Sequence, residues 1–507
     1  MKRLALLLLA QPALADPAFV DRAGSLPVPH VYDGGWEHFV GGGVAILDCN
    51  GDARPDLFAA GGTNPAQLFI NQSHPGGEIA FATGDLPPLT GVTGAWPLDV
   101  DSDGQLDLMV LRRGPNLILK GGPDCAFTDA TADFGLDPGN RWSTAFAATW
   151  EAGAALPTLA IGNYVDQTNP DGPFEACDAN ELHRPDGIHY RPPQLIQPGF
   201  CALSMLISDW KRDGTRDLRV SNDRQYYVRA GREQMFTLPD LREYTEADGW
   251  PTLRLWGMGI ASRDITGDGL PEVMLTSMGD QLLMLNRGKG VMEPAPWSIG
   301  TYASTPHIGD DGRPATGWHA EFGDIDNDGR ADLFIAKGNV QQMMSNAIHD
   351  PNNLLMQQPD GTFVEKAATA GIATMERSRG AGLADLNSDG RLDLVVMNRG
   401  APMEVWQNVT SNTGHWLALT PRQAGINGFA VGAWVEVRLS AGVQTIEVTV
   451  GGGHGGGQAG PLHFGLGAQD TAEVRVVWPD GKSSGWMTVQ ADQALTLWRE
   501  GDALRAK

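Results

Sequence analysis

Cysteine is scarce in this chain of 507 residues: Cys49, Cys125, Cys177 and Cys201 are all there is. No two stand at C-x-x-C spacing, which argues against a zinc site and against thioredoxin-type exchange. Positive charge is also short, with 37 Lys and Arg against 61 Asp and Glu and a formal net charge of -24. A pI of about 4.7 excludes a nucleic-acid surface, which needs a basic face. Beyond the N-terminus no stretch reaches the ~18 uninterrupted apolar residues of a membrane-spanning helix. The H-E-x-x-H helix motif and the phosphate-cradling P-loop are missing too.

What the chain has instead is carboxylate in a recurring arrangement. Asp324-Ile325-Asp326-Asn327-Asp328-Gly329-Arg330-Ala331-Asp332 puts acids at the first, third, fifth and ninth positions of a turn. A hard cation such as Ca²⁺ takes several oxygen ligands, and alternate side chains of a tight loop supply them. Gly329 sits where the backbone must turn sharply. The same pattern recurs in Asp99, Asp101, Asp103 and Asp107, and in Asp385, Asn387, Asp389 and Asp393. Asp48, Asn50, Asp52 and Asp56 form a fourth copy, with Ala53 in the glycine position. Asp264, Asp268 and Glu272 form a fifth, weakened by Thr266, and Asp209, Asp213 and Asp217 a sixth, in which Lys211 takes a ligand position and predicts no metal. About four to five structural Ca²⁺ ions are expected. If all six loops were filled, about half of the net charge would be offset.

Short apolar runs of strand type flank each loop, and the starts recur about every 50–60 residues. One gap is twice as long and holds a unit with no acidic loop, Ala145–Trp150 followed by Leu156–Asn163. Seven such units predict an all-β fold: a seven-bladed β-propeller with a smaller C-terminal β-rich domain. EF-hands are excluded, since the flanks are not long helices and the twelfth loop position carries no Glu. The expected boundaries are a signal peptide over 1–15, the propeller over 16–408, a linker over 409–414 and the C-terminal domain over 415–507. Met1-Lys2-Arg3, an apolar run and Ala13-Leu14-Ala15 read as an export leader, placing the mature protein in the periplasm or outside the cell. There an even cysteine count implies two disulfides. Cys177 with Cys201 is the favoured pair, leaving Cys49 with Cys125, although spacing does not fix the connectivity. The glycine run around His454 reads as a flexible loop with an incidental histidine.

The loops with their flanking strands resemble FG-GAP/VCBS repeats, and His463-Phe464-Gly465-Leu466-Gly467 with Val477-Trp478-Pro479-Asp480-Gly481 resembles the ASPIC/UnbV domain. Together the order resembles exported bacterial relatives of the cartilage acidic protein family. The resemblance implies Ca²⁺ between the first two strands of a blade, at the loops starting at Asp48, Asp99, Asp324 and Asp385. On the disc face opposite the loops, His38, Arg112, Tyr164, Arg224, Trp256, His319, Lys337, Arg379 and Arg399 are expected to line a pocket for an anionic or sugar-like ligand, through Arg forks and Trp stacking. The functional expectation is a binding, adhesion or envelope-scaffold module with a protein or glycan partner. The alternative is an enzyme acting at the channel mouth on an anionic or carbohydrate substrate, with His38 and His319 as acid and base.

Overall fold

The computed structural model describes residues 16–170, 172–173, 175–225, 230–279, 281–302, 312–341 and 343–507. The expected leader over residues 1–15 lies outside them. The described architecture is almost wholly β, built of many small antiparallel sheets, with one α-helical turn at Ala367–Ala370. Among the described residues no helix is long and apolar enough to cross a membrane.

Seven successive units each open with an inner strand: Val44–Leu47, Val92–Leu98, Arg141–Thr149, Ala202–Ser208, Gly257–Arg263, Gly317–Gly323 and Ser378–Ala384. Small residues and β-branched side chains pack these strands edge to face with almost no exposed surface. In six units the acidic loop follows, and its ninth residue begins the second strand. Asp332 pairs with Gly323, Asp107 with Leu98 and Asp393 with Ala384. The loopless third unit forms the same antiparallel pair, with Thr149 opposite Thr158. The N-terminal strand Phe19–Asp21 pairs with Glu404–Asn408, so the chain's beginning completes the sheet of its seventh unit. Each inner strand contacts those of the preceding and following units, and that of the seventh unit contacts that of the first.

Both disulfides follow the expected pairing, Cys49 with Cys125 and Cys177 with Cys201. The first joins the acidic loop of the first unit to the second unit. The second closes the long Pro-rich segment of the third.

The C-terminal region forms two four-stranded sheets. One holds Leu462–Gly467, His415–Arg422, Gln493–Glu500 and Ala503–Ala506; the other holds Gly442–Glu447, Trp434–Leu439, Thr471–Val477 and Met487–Gln490. Leu417, Leu419, Val435, Val437, Phe464, Val474 and Trp478 fill the space between them.

From this region the segment Val450–Ala459 threads between the inner strands of all seven units, which corrects the expectation of a flexible loop. Ile46 donates its N–H to Gly457, Ala95 to Gly455 and Ala148 to Val450, at 3.1, 3.2 and 3.0 Å. Gly452 donates to Met205 and Gly453 to Ile260, at 2.6 and 2.7 Å. His454 donates its N–H to His319 Nδ1 at 3.0 Å, and Gly380 of the seventh unit packs against its carbonyl. The His454 ring is fully buried against Trp318, its Nε2 accepts the Gly41 N–H at 3.2 Å, and burial pushes its pKa down to about 3. It is a neutral packing element. Glycine is needed on both sides of the contact, because a Cβ on Gly43 or Gly94 would overlap the Gly455 carbonyl.

Gly43→Ala or Gly94→Ala should therefore lower the denaturant midpoint of the full-length protein by the equivalent of about 1–3 kcal/mol, as overpacked cores do. Gly24→Ala, where an added Cβ meets nothing within 4 Å, should change it by no more than about 0.5 kcal/mol.

Candidate metal loops

Each acidic loop is first a hydrogen-bonded turn. Asp324 accepts the N–H groups of Asp328 and Gly329 at 3.0 and 2.8 Å. Asp99, Asp209 and Asp385 make the same pair of bonds in their own loops. At the ninth position Asp332 accepts from Ile325 within the loop and from Gln357 on the third strand, at 2.9 and 2.8 Å. Asp107, Asp393 and Glu272 repeat that bridge. Two residues per loop take left-handed backbone, Asn327 and Gly329 in this copy, with φ of +59 and +93°. Ala53 takes the glycine's place in the first loop at φ +64°, a strain of roughly 1–2 kcal/mol for a residue with a Cβ.

The turn brings carboxylates together. Oxygens of Asp99, Asp101 and Asp107 lie within 4.8 Å of one another, as do those of Asp324, Asp326 and Asp332, and both groups could hold a metal ion. Cys49, Asp56 and Cys125 are equally close, but both sulfurs there are in the disulfide and offer no thiolate. Burial, reinforced by the neighbouring acids, raises the carboxyls. Asp99 and Asp385 reach about 6, Asp56, Asp107 and Asp328 about 7, and Glu272 about 8. Asp324, Asp332 and Asp393 are raised well above the usual range for the same reasons.

Part of this charge is answered from within. Arg54, Arg330 and Arg391 pair with the fifth-position acids Asp52, Asp328 and Asp389, and Lys120 pairs with Asp101 and Asp103. In the sixth loop the ammonium of Lys211 lies 3.1 Å from Asp217 and 3.0 Å from the Tyr244 hydroxyl, standing where a cation would. Even so the answer is incomplete. Asp101, Asp326 and Asn387, each at the third position of its loop, have a buried Oδ1 with no hydrogen-bond partner. An all-oxygen donor set with an orphaned acceptor at the same place in three loops fits a hard cation. Asn50, Asp103, Asp264 and Asp268 complete the sequence-expected set in their loops. Asn50 accepts the Asp52 N–H, Asp103 that of Gln105, Asp264 those of Gly267 and Gly269, and Asp268 that of Leu270. Asp48 likewise accepts from Gly51 and Ala53.

The C-terminal domain touches several of these loops. Asn427 donates to Ser102 Oγ, and Glu447 accepts from the Asp209 N–H and the Ser208 hydroxyl. The half-buried Arg263 lies near Asp264 and Asp324, and its guanidinium donates to the His463 carbonyl at 3.3 Å. Arg422, stacked on Phe429, lies near Asp99 and Asp48. Sequence reasoning assigned no role to Arg263 or Arg422; neither belongs to a loop, and nothing in local pattern marks them.

On the opposite face the structure binds the expected ligand residues into internal networks. Arg379 is buried over the Trp318 ring and donates to the carbonyls of Phe39, Ser378 and Val340, each at 2.9 Å. Arg399 donates to the carbonyls of His38 and Gly34, and Arg112 to that of Thr90. Buried Lys337 pairs with buried Asp350 at 2.9 Å. The Tyr164 hydroxyl donates to Asp223, which also pairs with Arg224. His319 faces Glu321 at 3.3 Å and the glycine segment on its other side. His38 is buried edge-on to Tyr32, and no hydrogen bond links it to His319 among the described residues. Trp256 is half-buried and its carbonyl accepts the Met278 N–H.

Comparison with known proteins agrees with this geometry. Residues 48–110 and 264–335 match the FG-GAP-like repeat family, and residues 423–505 match the ASPIC and UnbV family. Cartilage acidic protein 1 of Mus musculus is 29% identical over 167 residues, 31% of this chain and 25% of that protein. The Xenopus tropicalis protein of the same name is 30% identical over 110 residues, 21% of this chain and 17% of that one. The matched part of the chain thus spans about a quarter or less of these relatives. Among solved structures, BBS1N in complex with ARL6DN aligns at 8% identity and TM-score 0.47, over 79% of this chain and 99% of that one.

The raised carboxyls give a pH dependence. Without a cation each binds its proton more tightly folded than unfolded, so the stabilisation is complete below the unfolded range, about pH 4, and is lost as pH rises through the folded values of about 6 to 8. In chelator the denaturant midpoint should fall steadily from about pH 5 to about pH 8, and a saturating divalent cation should flatten that fall.

Proposed function

We propose that this chain, an FG-GAP-repeat protein with a C-terminal ASPIC and UnbV domain and a distant relative of cartilage acidic protein 1, is a calcium-stabilised seven-bladed β-propeller that serves outside the cytoplasm as a binding or scaffold module for a protein or glycan partner. The orphaned third-position oxygen, repeated in Asp101, Asp326 and Asn387 beside carboxylates that crowd one another, carries the reading. The residues that would hold the ions are Asp48, Asn50, Asp52 and Asp56; Asp99, Asp101, Asp103 and Asp107; Asp264, Asp268 and Glu272; Asp324, Asp326, Asp328 and Asp332; and Asp385, Asn387, Asp389 and Asp393. A bound ion would neutralise each loop and pin the first strand to the second.

The contacts between successive inner strands, last to first included, support closure of the ring. The N-terminal strand completing the seventh sheet supports it independently. Two disulfides support an oxidising compartment. Binding is favoured over turnover because backbone fills the space between the inner strands, and because the residues expected at its mouth are held by internal partners. An acid–base pair on His38 and His319 has no comparable support.

Metal analysis of the mature protein should find about four to five Ca²⁺ per chain, and chelation should lower the melting temperature. Asp326→Ala, which takes the third-position oxygen away altogether, should remove one ion. Lys211→Asp should add one by freeing the sixth loop. A protein that carries no metal and melts identically in chelator would end this reading.

A further inference from the structure

Asn327 sits at the fourth position of the Asp324 loop, buried and in left-handed backbone. Its side-chain oxygen faces His463 Nε2 at 2.6 Å, and its carbonyl accepts the N–H of Gly467 at 2.9 Å. The preceding carbonyl, of Asp326, accepts the N–H of Gly414, where the chain enters the C-terminal domain. Between these anchors the strand Leu462–Gly467 presses on the loop. A Cβ on Gly465 would overlap the Asp324 carboxylate and lie 2.6 Å from Asn327 Cα. The Asn327 amide reaches the neighbouring loop, donating to the Gly390 carbonyl at 2.9 Å, while Trp416 stacks on His463 and covers Gly390.

We propose that the Asp324 loop and the strand Leu462–Gly467 form a cation-dependent latch: the ion held by Asp324, Asp326 and Asp332 fastens the C-terminal domain to the ring. This rests on reading that loop as a cation site. With the ion in place, Asp326 and Asp328 are drawn inward and fix Asn327 between them. Without it three buried carboxylates face one another at short range. Asp324 has no room to swing away, because the Gly465 backbone occupies the space. The repulsion is relieved by lifting the strand or opening the loop, and either movement displaces Asn327. Lifting the strand also pulls on the glycine segment, which reaches the first unit at Gln458–Ala459, just before Leu462. The coupling is reciprocal: a docked domain must tighten ion binding by the factor by which the ion tightens docking.

The test uses the full-length chain. Limited proteolysis in Ca²⁺ and in chelator, read by mass spectrometry, follows cleavage in the 409–414 segment, with metal content measured on the same samples. Chelation should speed that cleavage about tenfold, and Asp326→Ala should do so with Ca²⁺ present. Asp52→Asn, in the exposed first loop, should lose its ion and keep the segment protected. His463→Ala removes no metal ligand, and should weaken one Ca²⁺ site about tenfold in titration; it carries the test if Asp326→Ala does not fold. Ca²⁺ bound at the Asp324 loop with cleavage unchanged by chelation, or with His463→Ala binding as tightly as the parent, would overturn the latch and leave the site standing. Metal content unchanged by Asp326→Ala would overturn the site reading and the latch with it.

Discussion

Carboxylates that meet inside a buried turn need a cation, a proton or a partner, and the way each loop meets that need organises this molecule. The first- and ninth-position acids are spent on backbone N–H groups, which shape the turn and tie it to the third strand. Four fifth-position acids, Asp52, Asp103, Asp328 and Asp389, are answered by arginine or lysine. At the third position one oxygen stays unpartnered in three loops, and in the sixth a lysine ammonium takes the cation's place. One sequence pattern thus has two electrostatic solutions, and the difference lies in a single side chain at the third position.

The second constraint is steric. Seven inner strands leave between them a space that the chain fills with its own backbone. Glycine permits this because main-chain donors and acceptors can approach the strand edges directly; any side chain would hold them apart. The C-terminal domain is therefore no appendage. Its sandwich touches several of the acidic loops, and its glycine segment bonds to the inner strands. A single domain touches both the electrostatically costly part of the repeat units and their sterically tightest part.

Much of this was legible in local pattern. The recurrence of the loop, the apolar runs on either side and the unit without a loop between Asp99 and Asp209 all follow from short-range chemistry, as does the lysine in the sixth loop. The partners on the opposite face were not legible. Arg379, Arg399, Lys337 and Tyr164 were expected to line a ligand pocket, and in the structure they bond to carbonyls, Asp350 and Asp223. A polar residue in a turn looks the same in sequence whether its partner is a ligand or a carbonyl several units away. His454 was misjudged for a related reason: a glycine run signals freedom locally, and its order here comes from strands up to some four hundred residues distant.

By itself the sequence determined the all-β class, the acidic turns and their oxygen chemistry, because each depends on residues within about nine positions of one another. The tertiary structure decided which oxygens stay unpartnered, where Arg263 and Arg422 stand, and what fills the space between the inner strands. Those outcomes depend on donors and acceptors far apart in the chain, and only folding fixes the distances between them.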